Sequence, residues 1–264
     1  MIVDGKAIAA LIYKEIVNEV THLGMKPHLT VFTCAPSFET QRYLALKRKK
    51  AHEVGIGVSV VEFPETITTA EVVQSLQKAS IQTNGIIVQL PFPQHIAIDD
   101  VLQAIPQSLD VDAVHYNGTQ NTVLPPVVGA IAEIARIHDV LFVSANVVIV
   151  GKGRLVGAPA ALWSKTQGAQ VQVIDKGTSN ATELMSKAHI LILGAGVPGL
   201  VTSSAIASDV VIFDAGTTED SGMLVGDADP LCAQKASLFT PVPGGIGPVT
   251  VAILLRNLIT LCKA

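Results

Sequence analysis

The second half of this 264-residue chain contains a strand, a glycine-rich turn and a helix in direct succession, which restricts the folds open to it. The apolar run 146–150 has the composition of a buried strand and leads into Gly151-Lys152-Gly153, with a further glycine at position 157. Glycines allow the backbone to approach a pyrophosphate, which then lies at the positive end of the next helix. The spacing GxGxxxG is weak evidence alone, but its position between a strand and a helix predicts a Rossmann-like dinucleotide-binding domain.

An acidic residue after the next predicted strand supports this interpretation. Asp175 follows strand 171–174 and lies 24 positions after Gly151, near the roughly 20 positions typical of the carboxylate that binds the adenosine ribose. Such a carboxylate suits a free ribose diol and repels a 2′-phosphate, although Lys176 partly offsets that repulsion. We therefore expect NAD or NADP as cofactor, with NAD preferred.

Strands and helices alternate along the rest of the chain, which predicts an α/β fold. The segment 85–90 is apolar on both faces, as expected of a parallel strand buried between helix layers. Thr69 is the predicted N-cap of a helix at 70–79. The other predicted strands lie at 29–32, 57–63, 189–193 and 209–213, and the other helices at 7–23, 39–54, 99–105, 125–138 and 251–262.

Four polar side chains are candidates for chemistry. Tyr43 and Lys47 are four residues apart on a predicted helix and therefore share one face, although a solvated basic surface would give the same pattern. Gln89 ends a predicted strand, where ligands of open α/β sheets bind, but a buried glutamine can equally be a satisfied core residue. Asp112 lies with Asp110 in a loop, where paired acids are often only turn formers.

Composition excludes several classes of protein. The net charge of −4 argues against bulk nucleic-acid binding. Glycine, proline or polar residues interrupt every apolar run, so we expect no membrane span. Three widely separated cysteines and an N-terminus without a leader predict a cytoplasmic protein without disulfides. The seven histidines show no metal-ligand spacing, and we predict no metal.

The segment 243–250, Pro-Gly-Gly-Ile-Gly-Pro-Val-Thr, closely resembles the signature of the bifunctional methylenetetrahydrofolate dehydrogenase/methenyltetrahydrofolate cyclohydrolase (FolD-type) family. Further motifs agree with this family in chain order, so the resemblance covers essentially the whole chain. They are Val3-Asp4-Gly5-Lys6, Tyr43-x-x-x-Lys47, Gly85-Ile86-Ile87-Val88-Gln89-Leu90-Pro91, Asp110-Val111-Asp112, Val156-Gly157-x-Pro159 and Gly226-Asp227.

The resemblance implies two three-layer α/β domains with an active-site cleft between them. Residues 1–120 and 245–264 would form the folate-binding catalytic domain, and residues 121–244 the Rossmann-type NAD(P)-binding domain. The implied activities are oxidation of methylenetetrahydrofolate and hydrolysis of the resulting methenyl compound to formyltetrahydrofolate. A homodimer is implied as well.

The resemblance also implies roles for individual residues. Lys47 would be the catalytic amine, Gln89 its hydrogen-bond partner, Tyr43 a stacking platform for the folate and Asp112 the ligand of the pterin nitrogens. The loop Pro243-Gly244-Gly245 would line the folate site. The residues expected to bind the cofactor are Gly151, Lys152, Gly153, Val156, Gly157, Asp175, Lys176 and Thr217. Arg48, Lys49 and Lys50 are expected to lower the pKa of Lys47, as is partial burial of the lysine under the folate.

The chain departs from the family pattern at three places. Leu109 replaces a lysine, Pro125-Pro126-Val127-Val128 replaces a Pro-Cys-Thr-Pro-like segment, and Lys152-Gly153 replaces Arg-Ser, so Lys152 retains the arginine's charge but not its bidentate fork. These changes leave a single-activity dehydrogenase or cyclohydrolase as an alternative. Two other classes also stay open, a shikimate-type Rossmann dehydrogenase and a folate-binding protein without turnover.

Overall fold

A computed structural model of the chain describes residues 1–119, 123–220 and 222–264. The chain forms two compact units, each built around its own sheet. The three-stranded unit consists mainly of Leu11–Tyr116 and Val251–Ala264, and the five-stranded unit mainly of Met1–Ala10 and Val127–Thr250. The α/β class predicted from the alternation of strands and helices is confirmed.

All three strands of the three-stranded unit are parallel, with β1 in the centre and β2 and β3 at its sides. The apolar residues of β1 and β3 are buried against the helices, as the predicted burial of segment 85–90 requires. The elements from the start of the chain to this point are α1 (Gly5–His22), β1 (His28–Cys34), α2 (Phe38–Glu53), β2 (Gly57–Phe63), α3 (Thr69–Ala79), β3 (Gly85–Val88) and α4 (Ile98–Gln103).

Helix α3 begins one residue earlier than predicted. Its N-cap is Thr68, whose hydroxyl accepts a hydrogen bond from Glu71 N, while the Glu71 carboxylate accepts one from Thr68 N. This reciprocal capping box satisfies two backbone donors at once. The prediction of Thr69 as the N-cap was therefore wrong, because the sequence offers two adjacent threonines and only the first stands three residues before a glutamate.

The five-stranded sheet has the order β10-β7-β6-β4-β5, and all its strand pairs are parallel. The strand order reverses at β4, which lies between β5 and β6, and ligands of such sheets bind outside the carboxyl ends of the strands at this point. The elements are α5 (Pro126–Ile137), β4 (Asn146–Val150), α6 (Gly157–Thr166), β5 (Gln170–Ile174), α7 (Ala181–Ser186), β6 (Ile190–Leu193), β7 (Val211–Asp214), a hairpin of β8 (Thr218–Asp220) and β9 (Met223–Val225), β10 (Leu238–Phe239) and finally α8 (Ile246–Lys263).

The first ten residues group with the five-stranded unit, although the sequence suggested that residues 1–120 form one domain. Val3 N donates a hydrogen bond to Phe239 O at 2.9 Å, and Gly5 N donates one to Gly244 O at 2.9 Å. These contacts join positions more than two hundred residues apart, which local sequence patterns do not reveal. The expected boundary between residues 120 and 121 lies outside the described residues.

Helix α8 is long and apolar enough to cross a membrane, and it is the one helix in the described ranges with that property. More than half of its apolar stretch is buried inside the protein. Val251, Leu255 and Leu258 are at most 1% exposed. Its composition is accounted for by this burial, as in the core helix of a globular unit.

Candidate active site

Helix α2 carries the first two candidate residues on one face. The helix begins after Ser37, whose hydroxyl accepts a hydrogen bond from Thr40 N. Lys47 is only 6% exposed, and its Nζ lies 4.6 Å from the centroid of the Tyr43 ring. The predicted shared face is therefore present, and the ammonium lies within cation–π distance of the ring.

Gln89 directly follows strand β3 and contacts the same lysine. Its backbone N donates to Phe32 O at 2.8 Å, which fixes the residue at the end of the strand. Its side-chain Oε1 accepts a hydrogen bond from Lys47 Nζ at 2.9 Å, while Nε2 donates to Leu90 O at 3.2 Å. The second bond fixes the orientation of the amide, so that its oxygen faces the amine.

Asp112 lies in a turn that is anchored to the sheet and to helix α8. Asp110 forms a parallel bridge with Ile86 of β3, and this bridge places the turn beside that strand. Asn257, which is 6% exposed, donates hydrogen bonds from Nδ2 to Val111 O at 2.9 Å and to Leu124 O at 2.8 Å. Sequence reasoning missed Asn257, since nothing local marks one asparagine in an apolar helix as a support for a distant turn.

The electrostatics of this group follow mainly from burial. Burial lowers the pKa of Lys47 below its ordinary value, and the negative charge of Asp112 opposes this shift. Burial raises the pKa of Asp112 to about 6, with Lys47 opposing the shift and Asp110 adding to it. The amine and the carboxylate therefore both titrate closer to neutrality than exposed groups would.

The expected influence of Arg48, Lys49 and Lys50 on Lys47 was wrong. The lowered pKa of Lys47 stems from burial, and these three cations contribute nothing to it. Lys50 Nζ instead lies 2.7 Å from the Glu53 carboxylate. Arg48 and Lys49 line a groove of about 550 Å³ elsewhere on the surface.

Tyr43 combines a neutral hydroxyl with an accessible ring. Burial and the nearby charge of Asp112 raise the pKa of its hydroxyl above the ordinary value, so the phenol stays protonated at neutral pH. The residue as a whole is 37% exposed. A flat aromatic surface that solvent reaches can stack on a planar ring of a ligand.

In the five-stranded unit, the glycine-rich turn lies between β4 and α6 as predicted. Gly151 has φ +97, and a Cβ there would come within 2.7 Å of Gly194 O. A side chain on Gly157 would collide with the backbone of Gly151. By contrast, a Cβ on Gly153 would meet nothing within 4 Å, so the protein leaves open space beside this residue. Such a turn before a helix N-terminus suits a pyrophosphate.

Two charged side chains predicted to contact the cofactor are joined to each other. Lys152 Nζ lies 2.6 Å from Asp175 Oδ2, and Gly177 N donates to Asp175 Oδ1 at 2.9 Å. Their hydrogen bond raises the pKa of Lys152 and lowers that of Asp175. Asp175 follows the end of β5, next to the turn that carries Lys152, so an ion pair partly neutralises the expected ribose ligand. Lys176 is exposed beside it.

The remaining predicted residues lie at loop positions of the five-stranded unit. Val156 is the N-cap of α6 but makes no side-chain capping bond, and Thr217 is exposed in the loop after β7. Gly244 has φ +108, and Gly245 N donates to Pro241 O at 2.7 Å. The proposed folate contacts of Pro243, Gly244 and Gly245 stay a prediction.

The described ranges of the chain contain no cluster of three or more histidine, cysteine, aspartate or glutamate residues placed to hold a metal ion. Cys34 and Cys232 are buried free thiols, and Cys262 is a partly buried one.

Comparison with known proteins identifies relatives of both units. Residues 3–112 match the family model of the tetrahydrofolate dehydrogenase/cyclohydrolase catalytic domain, and residues 125–264 match that of the NAD(P)-binding domain. The bifunctional protein FolD of an Exiguobacterium species is 33% identical over 275 residues, with 100% of this chain and 99% of the relative covered.

Two solved structures show the same architecture. The bifunctional FolD dehydrogenase/cyclohydrolase of Campylobacter jejuni is 31% identical with a TM-score of 0.96, covering 100% of this chain and 98% of the other. The dehydrogenase-cyclohydrolase of Trypanosoma brucei, in a complex with NADP and an inhibitor, is 31% identical with a TM-score of 0.93, covering 100% and 97%.

Proposed function

The chain belongs to the tetrahydrofolate dehydrogenase/cyclohydrolase family, and we propose that Lys47, Tyr43, Gln89 and Asp112 form its catalytic centre. The enzyme oxidises methylenetetrahydrofolate to methenyltetrahydrofolate with NAD(P) and hydrolyses the product to formyltetrahydrofolate. Both family domains match, which favours two activities over the single-activity alternative and disfavours a shikimate-type enzyme.

In the oxidation, bound NAD(P) supplies a nicotinamide ring that accepts a hydride from the methylene carbon of the folate. The protein's part is to hold the folate so that this carbon faces the ring. Tyr43 offers an exposed aromatic face for stacking, and Asp112 offers a carboxylate that accepts hydrogen bonds from pterin N–H groups. Pro243, Gly244 and Gly245 would line the same substrate.

In the hydrolysis, water adds to the cationic methenyl carbon, one proton leaves the water, and a C–N bond breaks as its nitrogen gains a proton. Lys47 can accept the first proton at Nζ and return a proton to the leaving nitrogen, since its lowered pKa makes a neutral amine accessible. Gln89 Oε1 holds Nζ at 2.9 Å and so orients it.

The buried hydrogen bond between Lys47 and Gln89 is the observation that carries this proposal. A buried lysine that is held by an amide at a strand end is costly to maintain for stability alone. The hydrolysis gives this buried amine a function, because that reaction needs a group that accepts a proton and returns one.

The experiment replaces this amine. Lys47→Met keeps the length of the side chain and should reduce cyclohydrolase kcat by roughly 10²–10⁴-fold, while the affinity for NAD(P) stays unchanged. Lys49→Met, an exposed change on the same helix, is the matched control and should keep full activity. Full cyclohydrolase activity in Lys47→Met would exclude Lys47 as the proton shuttle.

For the cofactor, we propose a preference for NAD. Asp175 offers carboxylate oxygens for a ribose diol and would repel a 2′-phosphate. Its ion pair with Lys152 weakens that repulsion without providing a bidentate phosphate site. A higher kcat/KM with NAD than with NADP is the expected result, and a clear preference for NADP would refute the proposal.

We also propose that the enzyme is a cytoplasmic homodimer. Leu141 and Val143 are 79% and 73% exposed, and Val143 lies beside Gly168 at the approach to the edge strand β5. An exposed apolar patch at a sheet edge is suited to association with a second copy. Light scattering should give the mass of a dimer, and Leu141→Glu should yield monomers.

A further inference from the structure

Two aspartates that the reaction does not use are buried in the five-stranded unit. Asp214 is 2% exposed and Asp227 is 0% exposed. Asp227 accepts three backbone hydrogen bonds from the loop after β6: from Ala195 N at 2.6 Å, Gly196 N at 3.2 Å and Val197 N at 2.8 Å. One side chain thus fixes the path of an entire loop.

Asp214, at the end of β7, holds the segment that carries Asp227. Its carboxylate accepts hydrogen bonds from Gly216 N at 3.0 Å, Asp227 N at 3.2 Å and Ala228 N at 2.9 Å. The glycines around the pair leave room for it, because a side chain on Gly216 would collide with the Asp227 carboxylate, and one on Gly226 with that of Asp214.

The loop fixed by Asp227 lies against the nucleotide-binding turn. A Cβ on Gly151 would come within 2.7 Å of Gly194 O, and one on Gly194 within 2.5 Å of Val156 Cγ1. The turn follows β4 and the loop follows β6, so both border the crevice at which the strand order reverses. The loop after β7, which carries Thr217, is tied to the same pair through Gly216.

Stability alone is a weak explanation for this arrangement. Two neighbouring buried carboxylates repel each other, and burial raises the pKa of Asp214 to about 6, which reflects the unfavourable placement of its charge. The hydrogen bonds converge on the loops after β6 and β7, and both loops end at the crevice. The pair therefore orders the edge of the sheet where a dinucleotide binds.

We propose that Asp227, supported by Asp214, is a positioning residue for the nicotinamide dinucleotide, holding the loops after β6 and β7 against the glycine-rich turn. This inference rests on the proposed function, since it concerns the cofactor of that reaction. In this role neither aspartate contacts the folate or the dinucleotide. Loss of the role should impair only the oxidation, because hydrolysis of the methenyl compound needs no dinucleotide.

The test uses Asp227→Asn in the full chain. Asparagine keeps the shape but has only one acceptor oxygen for three donors, so the loop should lose its fixed position. The dissociation constant for NAD and NADP, measured by calorimetry, and the dehydrogenase KM for the cofactor should rise roughly ten- to a hundredfold. Cyclohydrolase kcat/KM should stay within about twofold of the parent protein. Asp229→Asn is the matched control, since the carboxylate of Asp229 accepts a local hydrogen bond from Leu231 N at 2.8 Å.

Two outcomes overturn the inference: unchanged cofactor affinity in Asp227→Asn, or an equal loss of both activities. Should this variant fail to fold, Gly216→Ala takes its place, because it directs a methyl group at the Asp227 carboxylate. Gly216→Ala must then weaken cofactor binding and leave cyclohydrolase kcat/KM unchanged, or the inference fails. If the parent protein binds the cofactor but does not oxidise the folate, the proposed function is contradicted. The positioning role of Asp227 can still be measured in that case, from cofactor binding alone.

Discussion

The hydrogen bond between Lys47 and Gln89 allows the pKa of the amine to be moved in either direction. Gln89→Leu removes the acceptor that faces Nζ at 2.9 Å. Gln89→Glu retains an acceptor there and adds a negative charge. The first change disfavours the ammonium form of Lys47 and the second favours it, so the two variants should shift its pKa in opposite directions.

The size of both shifts follows from the geometry. A hydrogen bond to a charged group contributes about 1.5–3 kcal/mol, and one pKa unit corresponds to about 1.4 kcal/mol. Gln89→Leu should therefore lower the pKa of Lys47 by about one to two units. A carboxylate adjacent to a cation shifts a pKa by about 1–3 units, so Gln89→Glu should raise the pKa of Lys47 by at least one unit. Asp112 stays in place in both variants.

The assay is the pH dependence of cyclohydrolase kcat between pH 6 and about 10, where the titration of a perturbed lysine falls. The kcat of each variant is divided by that variant's own maximal kcat, so a general loss of rate does not change the position of the pH profile. The limb of this pH profile that reports the titration of Lys47 should move to lower pH in Gln89→Leu and to higher pH in Gln89→Glu.

Coincident profiles in the two variants would refute the reasoning, because the group that titrates in the reaction would then not be the amine held by Gln89. Shifts in the same direction would also refute it, since they would point to a general change in the polarity of the site.

Three further predictions concern supporting residues. Asp175→Asn should raise kcat/KM for NADP relative to NAD by several-fold, because a negative charge facing a 2′-phosphate is removed, and the ratio of the two constants measures it. Ala113→Gly should raise the free energy of urea unfolding by about 0.5–1 kcal/mol, because Ala113 has φ 50 and glycine carries no Cβ penalty there. Asn257→Leu should lower the same free energy by about 2–4 kcal/mol, since two buried carbonyl oxygens lose their donor.

The sequence predicted those parts of the fold and candidate site that depend on local spacing. Helical periodicity correctly predicts that Tyr43 and Lys47 share a face. The apolar run 85–90 correctly predicts a buried strand, and Gln89 directly follows that strand. Chain order alone predicts that the glycine-rich turn joins a strand to a helix. Each of these features involves residues within a few positions of one another.

Features that depend on long-range contacts were missed. The low pKa of Lys47 arises from packing within the protein, whereas the sequence pointed to the three neighbouring cations and to partial burial under the folate. Asn257 supports a turn almost 150 residues away, and Asp227 supports a loop about thirty residues earlier, with the three strands β7, β8 and β9 between them in the chain. The short strand β10 was also missed, because two residues are too few to show a hydrophobic period.

The division of helix α8 between the two units has a consequence for synthesis on the ribosome. The three-stranded unit includes Val251–Ala264, which bring Leu255, Leu258 and Asn257 into its interior. A nascent chain that ends at Thr250 therefore has every strand of both sheets but lacks part of the core of the unit that contains Lys47. Domains usually fold in order as they emerge, yet here the unit whose strands are made first is completed last. Synthesis of Val251–Ala264, rather than of the early elements, therefore sets the time at which the core of the three-stranded unit can be completed.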